Sequence, residues 1–192
     1  MDAAELPAAP TCIAPRRRVL AGGLALATLL LGIGTVAAEE ALEASVKAAY
    51  LYKFLSYVDW PARAFASAEA PQVIGVIGSD EVLAELQRLV TGRILHGRPL
   101  VATRIAPGDS VELLHVLYIG RGARTAAAMR SVHGRPVLTI TDSPSGLGEG
   151  SVLNFVMAQG RIRFEASLPA AERAGLRLSA RLLAVAERVL TP

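Results

Sequence analysis

Val73-Ile74-Gly75-Val76-Ile77 runs directly into Gly78-Ser79-Asp80-Glu81. The first five residues are apolar and largely β-branched, the composition of a strand buried on both faces of a parallel sheet. Ser79 can cap a helix, and Asp80 and Glu81 put negative charge into its first turn. Val82, Leu83, Leu86, Leu89 and Val90 then recur on one helical face, and Gly92 ends it. A buried strand turned tightly into a helix is the opening of a βαβ unit.

The same alternation continues downstream. Pro99 to Thr103 is a second expected strand, after the turn Gly97-Arg98-Pro99. His115 to Ile119 is a third, stopped by Gly120-Arg121-Gly122, and a short helix is expected over residues 123–131. Pro136 to Thr141 is a fourth. Ser151 to Met157, the turn Ala158-Gln159-Gly160, and Arg161 to Glu165 then read as a hairpin. Ile162 and Phe164 alternate with charged neighbours, so the return strand has one wet face. Ser179 to Leu190 has the apolar spacing of a closing helix. The expectation is a single α/β domain: a mostly parallel sheet flanked by helices and ending in an antiparallel hairpin.

Upstream lies an aromatic helix, Val46 to Tyr57, stopped by Trp60-Pro61. Six of the nine aromatic residues (Tyr50, Tyr52, Phe54, Tyr57, Trp60, Phe65) and both lysines (Lys47, Lys53) fall in or beside it. Leu42, Val46, Tyr50, Phe54 and Tyr57 share one face, which is expected to pack on the sheet. Leu51, Leu55 and Val58 widen the apolar surface to a second face. With Trp60 they are the candidates for a dimer or partner contact, since clustered large side chains anchor interfaces.

The 192 residues are 52% hydrophobic and 19% charged, which excludes a disordered chain, and the net charge of +3 is too small and too spread for a nucleic-acid surface. Arg16-Arg17-Arg18, an uncharged run from Val19 to Ala38, and the small-residue exit Val36-Ala37-Ala38 make a secretory leader, with cleavage expected after Ala38. The domain is then 39–192. The alternative is an uncleaved anchor helix, and Arg16-Arg17 echoes a twin-arginine signal too briefly to choose the export route. Cys12 is the one cysteine, so a chain cut after Ala38 has no disulfide and no thiolate chemistry.

Open parallel sheets bind ligands outside the carboxyl ends of their strands. Arg121 and Arg124, after the third strand, and Asp142, after the fourth, are the ligand-contact candidates there. Gly120-x-Gly122 precedes a helix, but Thr125 occupies the third glycine's place and the dinucleotide fingerprint fails. Asp142-Ser143-Pro144-Ser145-Gly146 lacks the Gly-x-Ser-x-Gly elbow. His115 with Asp142 and Ser143 could form a triad only if the fold brings them together, and Asp80, Asp142 and Glu149 a cation site only if their loops converge. No catalytic constellation, metal spacing or cofactor fingerprint stands out, and the chain reads as a non-enzyme.

Several stretches taken together resemble the YfiR-like family. They are Lys47 to Phe54 with Trp60-Pro61, Pro136 to Asp142, Asn154-Phe155, Gly160 to Glu165, and Leu176 to Ala186. The resemblance implies a periplasmic homodimeric regulator that restrains an inner-membrane diguanylate cyclase through its periplasmic region, lowering cyclic di-GMP and biofilm formation. It also implies sequestration by an OmpA-type outer-membrane lipoprotein. There are departures: Leu114 stands beside His115 where some members carry a cysteine, and Ala166-Ser167-Leu168 replaces a common Asn-Leu pair. The alternative reading is a periplasmic small-molecule sensor without a cyclase partner, using Arg121, Arg124 and the 142–149 loop.

Overall fold

The computed structural model describes the backbone of residues 22–192 and the side chains of residues 38–192. The leader expected over residues 1–38 therefore lies, but for Ala38, outside the residues described with side chains. The chain divides into two units, Met1–Glu39 and Glu40–Pro192. The second begins within α1 (Gly22–Phe54) and holds every strand: β1 (Val58–Asp59), β2 (Gln72–Ile77), β3 (Ile94–Leu95), β4 (Arg98–Arg104), β5 (Leu114–Ile119), β6 (Leu138–Thr141), β7 (Leu153–Ala158), β8 (Arg161–Ser167), β9 (Arg177–Leu178) and β10 (Arg188–Leu190). Its other helices are α2 (Asp80–Val90), α3 (Thr125–Ser131), α4 (Leu168–Arg173) and α5 (Ala180–Ala184). Among the described residues no helix is long and apolar enough to cross a membrane.

Eight strands form one sheet in the order β10-β8-β7-β6-β5-β2-β4-β3. The neighbours from β7 through β6, β5 and β2 to β4 are parallel, as the continuous apolar runs require. All six residues of β5 are buried, as befits a central strand. β7 and β8 make the expected antiparallel hairpin, with Phe155 opposite Phe164. Ser79 caps α2 by accepting the amide N–H of Val82 at 3.4 Å.

One face of the sheet, with Ile74, Val76, Val116, Tyr118, Ile140 and Phe155, packs under α1, α2 and the C-terminal helices. The other, with Leu117, Ile119 and Val137, is covered by α3 and by the helix-free segment 105–113. The result is a three-layer α/β/α domain with a thin second cover.

Two expectations need correction. The first is the sidedness of α1. Leu51 and Leu55 are 0% exposed and Val58 3%, while Leu42 is 65% and Tyr57 36% exposed. The face assigned to a partner is the core face, and much of the face assigned to the core is open. The reason is Ala44 and Ala48, 5% and 0% exposed: their small side chains bring the backbone down onto the sheet, and Leu51, Phe54 and Leu55 follow on the same side. Trp60 is half-buried and tied down, its indole N–H donating to the carbonyl of His115 at 3.1 Å. The helix also ends at Phe54, ahead of Trp60-Pro61.

The second correction is the tail. The helix expected over Ser179 to Leu190 is only α5, and Arg188–Leu190 is a strand pairing in parallel with Glu165–Ser167. The backbone of β8 offered an open edge. Glu187 N–H donates to Phe164 O at 2.8 Å, and Arg188 pairs with Glu165 at 2.8 Å. In a short apolar run such tertiary pairing outweighs helical spacing. The hairpin is thus flanked by one further strand.

Candidate functional site

β5 and β6 are parallel and in register, with Ile119 opposite Thr141. Their carboxyl ends therefore deliver Arg121 and Asp142 to one place. α1 crosses above, and Lys47 lies on its buried side between Ala44 and Leu51. Lys47 Nζ lies 2.5 Å from Asp142 Oδ2, and Arg121 donates to Asp142 Oδ1 at 3.2 Å. Glu43, one turn before Lys47, pairs with it and reaches Arg121 at 3.6 Å. A crevice of about 290 Å³ opens beside the cluster, with Glu40, Glu81 and Tyr118 on its walls.

Lys47 and Asp142 are 5% and 6% exposed. A charge so buried costs several kcal/mol to desolvate and persists only when paired, so neither can lose its partner cheaply. Both carboxylate oxygens of Asp142 are taken, by an ammonium and a guanidinium. Asp142 raises the pKa of Arg121 by its charge and then by the hydrogen bond, holding the guanidinium charged. Burial, followed by the charges of Asp142 and Glu43, pushes the Tyr118 phenol far up, so it remains a neutral hydroxyl. The arrangement is a structural clamp between α1 and the strand ends, facing a small polar crevice.

The other candidate of that group, Arg124, is placed elsewhere: it precedes α3 and faces a separate crevice with Gly122 and Ala127. The imagined triad is not assembled. His115 sits near the start of β5 and Asp142 beyond its end, roughly 13 Å or more along the strand direction. Both ring nitrogens of His115 are engaged. Nδ1 accepts the amide N–H of Val73 at 3.1 Å, so Nε2 carries the proton and donates to Ala64 O at 3.0 Å. Burial lowers the pKa of His115 and keeps this ring neutral. Phe65 stacks on it at 4.3 Å, and Arg98 lies over Phe65 at 3.7 Å. Glu149 accepts from Ser145 at 2.5 Å and Asp80 pairs with Arg104, so the acids imagined around a cation have separate partners. Among the described residues no group of three His, Cys, Asp or Glu could hold a metal ion.

A larger surface feature lies on the other flank of α1. Tyr50, Tyr57, Phe164, Leu182 and Val185 line a groove of about 550 Å³ between α1 and α5, with Lys53 and Arg181 on its walls. Val185 is 59% exposed. The floor is an aromatic cluster: Phe54 meets Phe164 edge to face at 4.9 Å, and Tyr50 lies 5.8 Å from Phe155 and 5.9 Å from Phe164. Sequence reasoning found the aromatics but put their open side on the wrong flank. It missed Lys47 and Glu43 as well. Their signal was available: once Ala44, Ala48, Leu51 and Leu55 are read as the inward stripe, Lys47 is inside it and needs a buried acid.

The family model described as YfiR/HmsC-like matches residues 44–187, well over half of the chain and almost all of the unit that carries the clamp and the groove.

Proposed function

The chain belongs to the YfiR/HmsC-like family, and from that premise we propose that it is a periplasmic regulator that restrains an inner-membrane diguanylate cyclase by direct contact. The family match over residues 44–187 carries this reading. A regulator of this kind needs no catalytic centre. It needs a surface whose affinity differs between two states of its target, because binding shifts an equilibrium only by that difference. Favouring the inactive cyclase tenfold takes about 1.4 kcal/mol of differential affinity.

The contact surface we assign is the groove between α1 and α5. Its exposed Tyr57 and Val185 are the kind of apolar surface that anchors an interface, and Lys53 and Arg181 suit a partner segment bearing acids beside an apolar anchor. Leu51, Leu55 and Val58 belong to the same buried core as Phe54, Phe164 and Leu182, which line the groove. Sequestration by an OmpA-type lipoprotein and homodimerisation belong to the same proposal, since a partner competing for the groove relieves the restraint. The cellular test is deletion of the gene: cyclic di-GMP and biofilm rise, and the wild-type copy reverses both. Unchanged cyclic di-GMP on deletion would remove the cyclase from the account.

A further inference from the structure

The connection from β4 to β5 runs through residues 105–113, nine residues without a helix. Parallel strands are ordinarily joined by a dozen or more residues that include one. Here the missing helix leaves part of the second face uncovered, and a crevice of about 580 Å³ occupies that space. Its walls include Ile77, Ile105, Val111, Ala123 and Ala128, all members of the apolar layer on that face. The volume falls in the range of about 300–1,000 Å³ usual for small-molecule sites, and the lining is mostly apolar as such sites are.

Topology marks the same place. From β2 the chain goes to β4 on one side and then to β5 on the other, so the order of strands reverses at β2 and β5. Crevices at such reversals, outside the carboxyl ends of the strands, are where open α/β sheets take ligands. The turns after the two strands meet there. A Cβ at Gly120 would lie 2.7 Å from Gly78 O, so only glycine lets them close together, and Gly122 beyond has open space where a side chain would be.

Two charged residues line the crevice, Asp109 and Arg124. Asp109 is already used: its Oδ2 accepts the amide N–H of Ala106 at 2.7 Å and closes its own turn. Arg124 is exposed and, among the described residues, in no ion pair. Asp109 keeps its negative charge but its carboxylate is engaged by its own turn, so the cation left for a ligand's anionic group is Arg124, beside apolar walls. We propose that the crevice between the β4–β5 segment and α3 binds a compact apolar molecule carrying a single negative charge, with the apolar body against Ile77, Ile105 and Val111 and the anionic group at Arg124. This site is distinct from the α1–α5 groove and does not depend on the regulator reading.

The test uses two fluorescent probes on the purified protein. Anilinonaphthalene sulfonate has an apolar aromatic body and one anion; phenylnaphthylamine has the same rings and no charge. The native protein is expected to bind both. Ala127→Phe fills the crevice from an exposed position and weakens both probes by about tenfold or more, a readily measured change of about 1.4 kcal/mol. Arg124→Gln, a surface change that leaves the core untouched, weakens the sulfonate alone, again by about tenfold. Val185→Glu, in the α1–α5 groove, leaves both affinities unchanged. The proposal is overturned if the native protein binds neither probe, if Val185→Glu abolishes binding while Ala127→Phe does not, or if Arg124→Gln affects both probes equally. Unfolding transitions of the three variants establish that each is folded.

Discussion

Lys47 shows how much one residue can decide in this fold. It enters the core on an otherwise apolar helical stripe because Asp142 waits at the end of β6. Removing Lys47 leaves the buried Asp142 carboxylate with Arg121 alone, at 3.2 Å and from an exposed side chain, with one oxygen unpaired. Lys47→Met should therefore cost about 3–5 kcal/mol in denaturant unfolding, and Lys47→Met combined with Asp142→Leu should recover most of it. A single variant as stable as the native protein would show the pair is not desolvated. His115 makes a different prediction. Its pKa lies below the ordinary 6.5, chiefly through burial and then the charge of Arg98. The unfolded chain thus binds the proton more readily than the folded one. The stability from neutral His115 is fully present above pH 6.5 and is lost as pH falls from there through the folded value. His115→Gln should flatten that part of the stability–pH profile, and an unchanged slope would deny His115 this role. Both residues were visible in the sequence, but their partners are 95 and 42 positions away, and no local pattern announces such pairs.

At the scale of elements, α1 was legible as a helix and misread in orientation. Aromatic side chains dominate a hydrophobic pattern, whereas the alanines that set the contact distance weigh little in it. Burial reverses the consequence of one substitution. Leu51→Glu, which on a partner-contact face would leave a folded monomer, should instead unfold the domain, since Leu51 is 0% exposed, and Leu51→Ala should cost about 2–5 kcal/mol. Tyr57→Ser, on the open flank, should change stability by no more than about 0.5 kcal/mol. Equal effects at the two positions would return Tyr57 to the core. The tail carries its own prediction. β10 covers the backbone edge of β8, and an uncovered edge recruits other strands. Removing residues 188–192 should produce concentration-dependent association in light scattering. A monodisperse truncated protein would mean that the edge of β8 is protected by other means. The strand was not legible because three residues fall below the length at which alternation can be told from helical spacing.

For the molecule as a whole, the parallel sheet and the closing hairpin could be read from the alternation of β-branched runs with capped helices. The strand order could not, since nothing local says that the chain passes from β4 across β2 to β5. That crossing leaves Arg124 beside an apolar crevice, while the in-register pairing of β5 with β6 brings Arg121 to Asp142 in the clamp. Ahead of the described strands, α1 belongs to no crossover; it covers one sheet face and keeps one flank open. The functional account rests on that flank and on membership of the YfiR/HmsC-like family. Its most direct test is calorimetric titration of the protein with the periplasmic region of the diguanylate cyclase it is proposed to restrain. The account predicts association at micromolar concentration or tighter, weakened about tenfold or more by Tyr57→Asp or Val185→Asp in proteins that remain folded. No association at those concentrations, or native affinity in both variants, would contradict it.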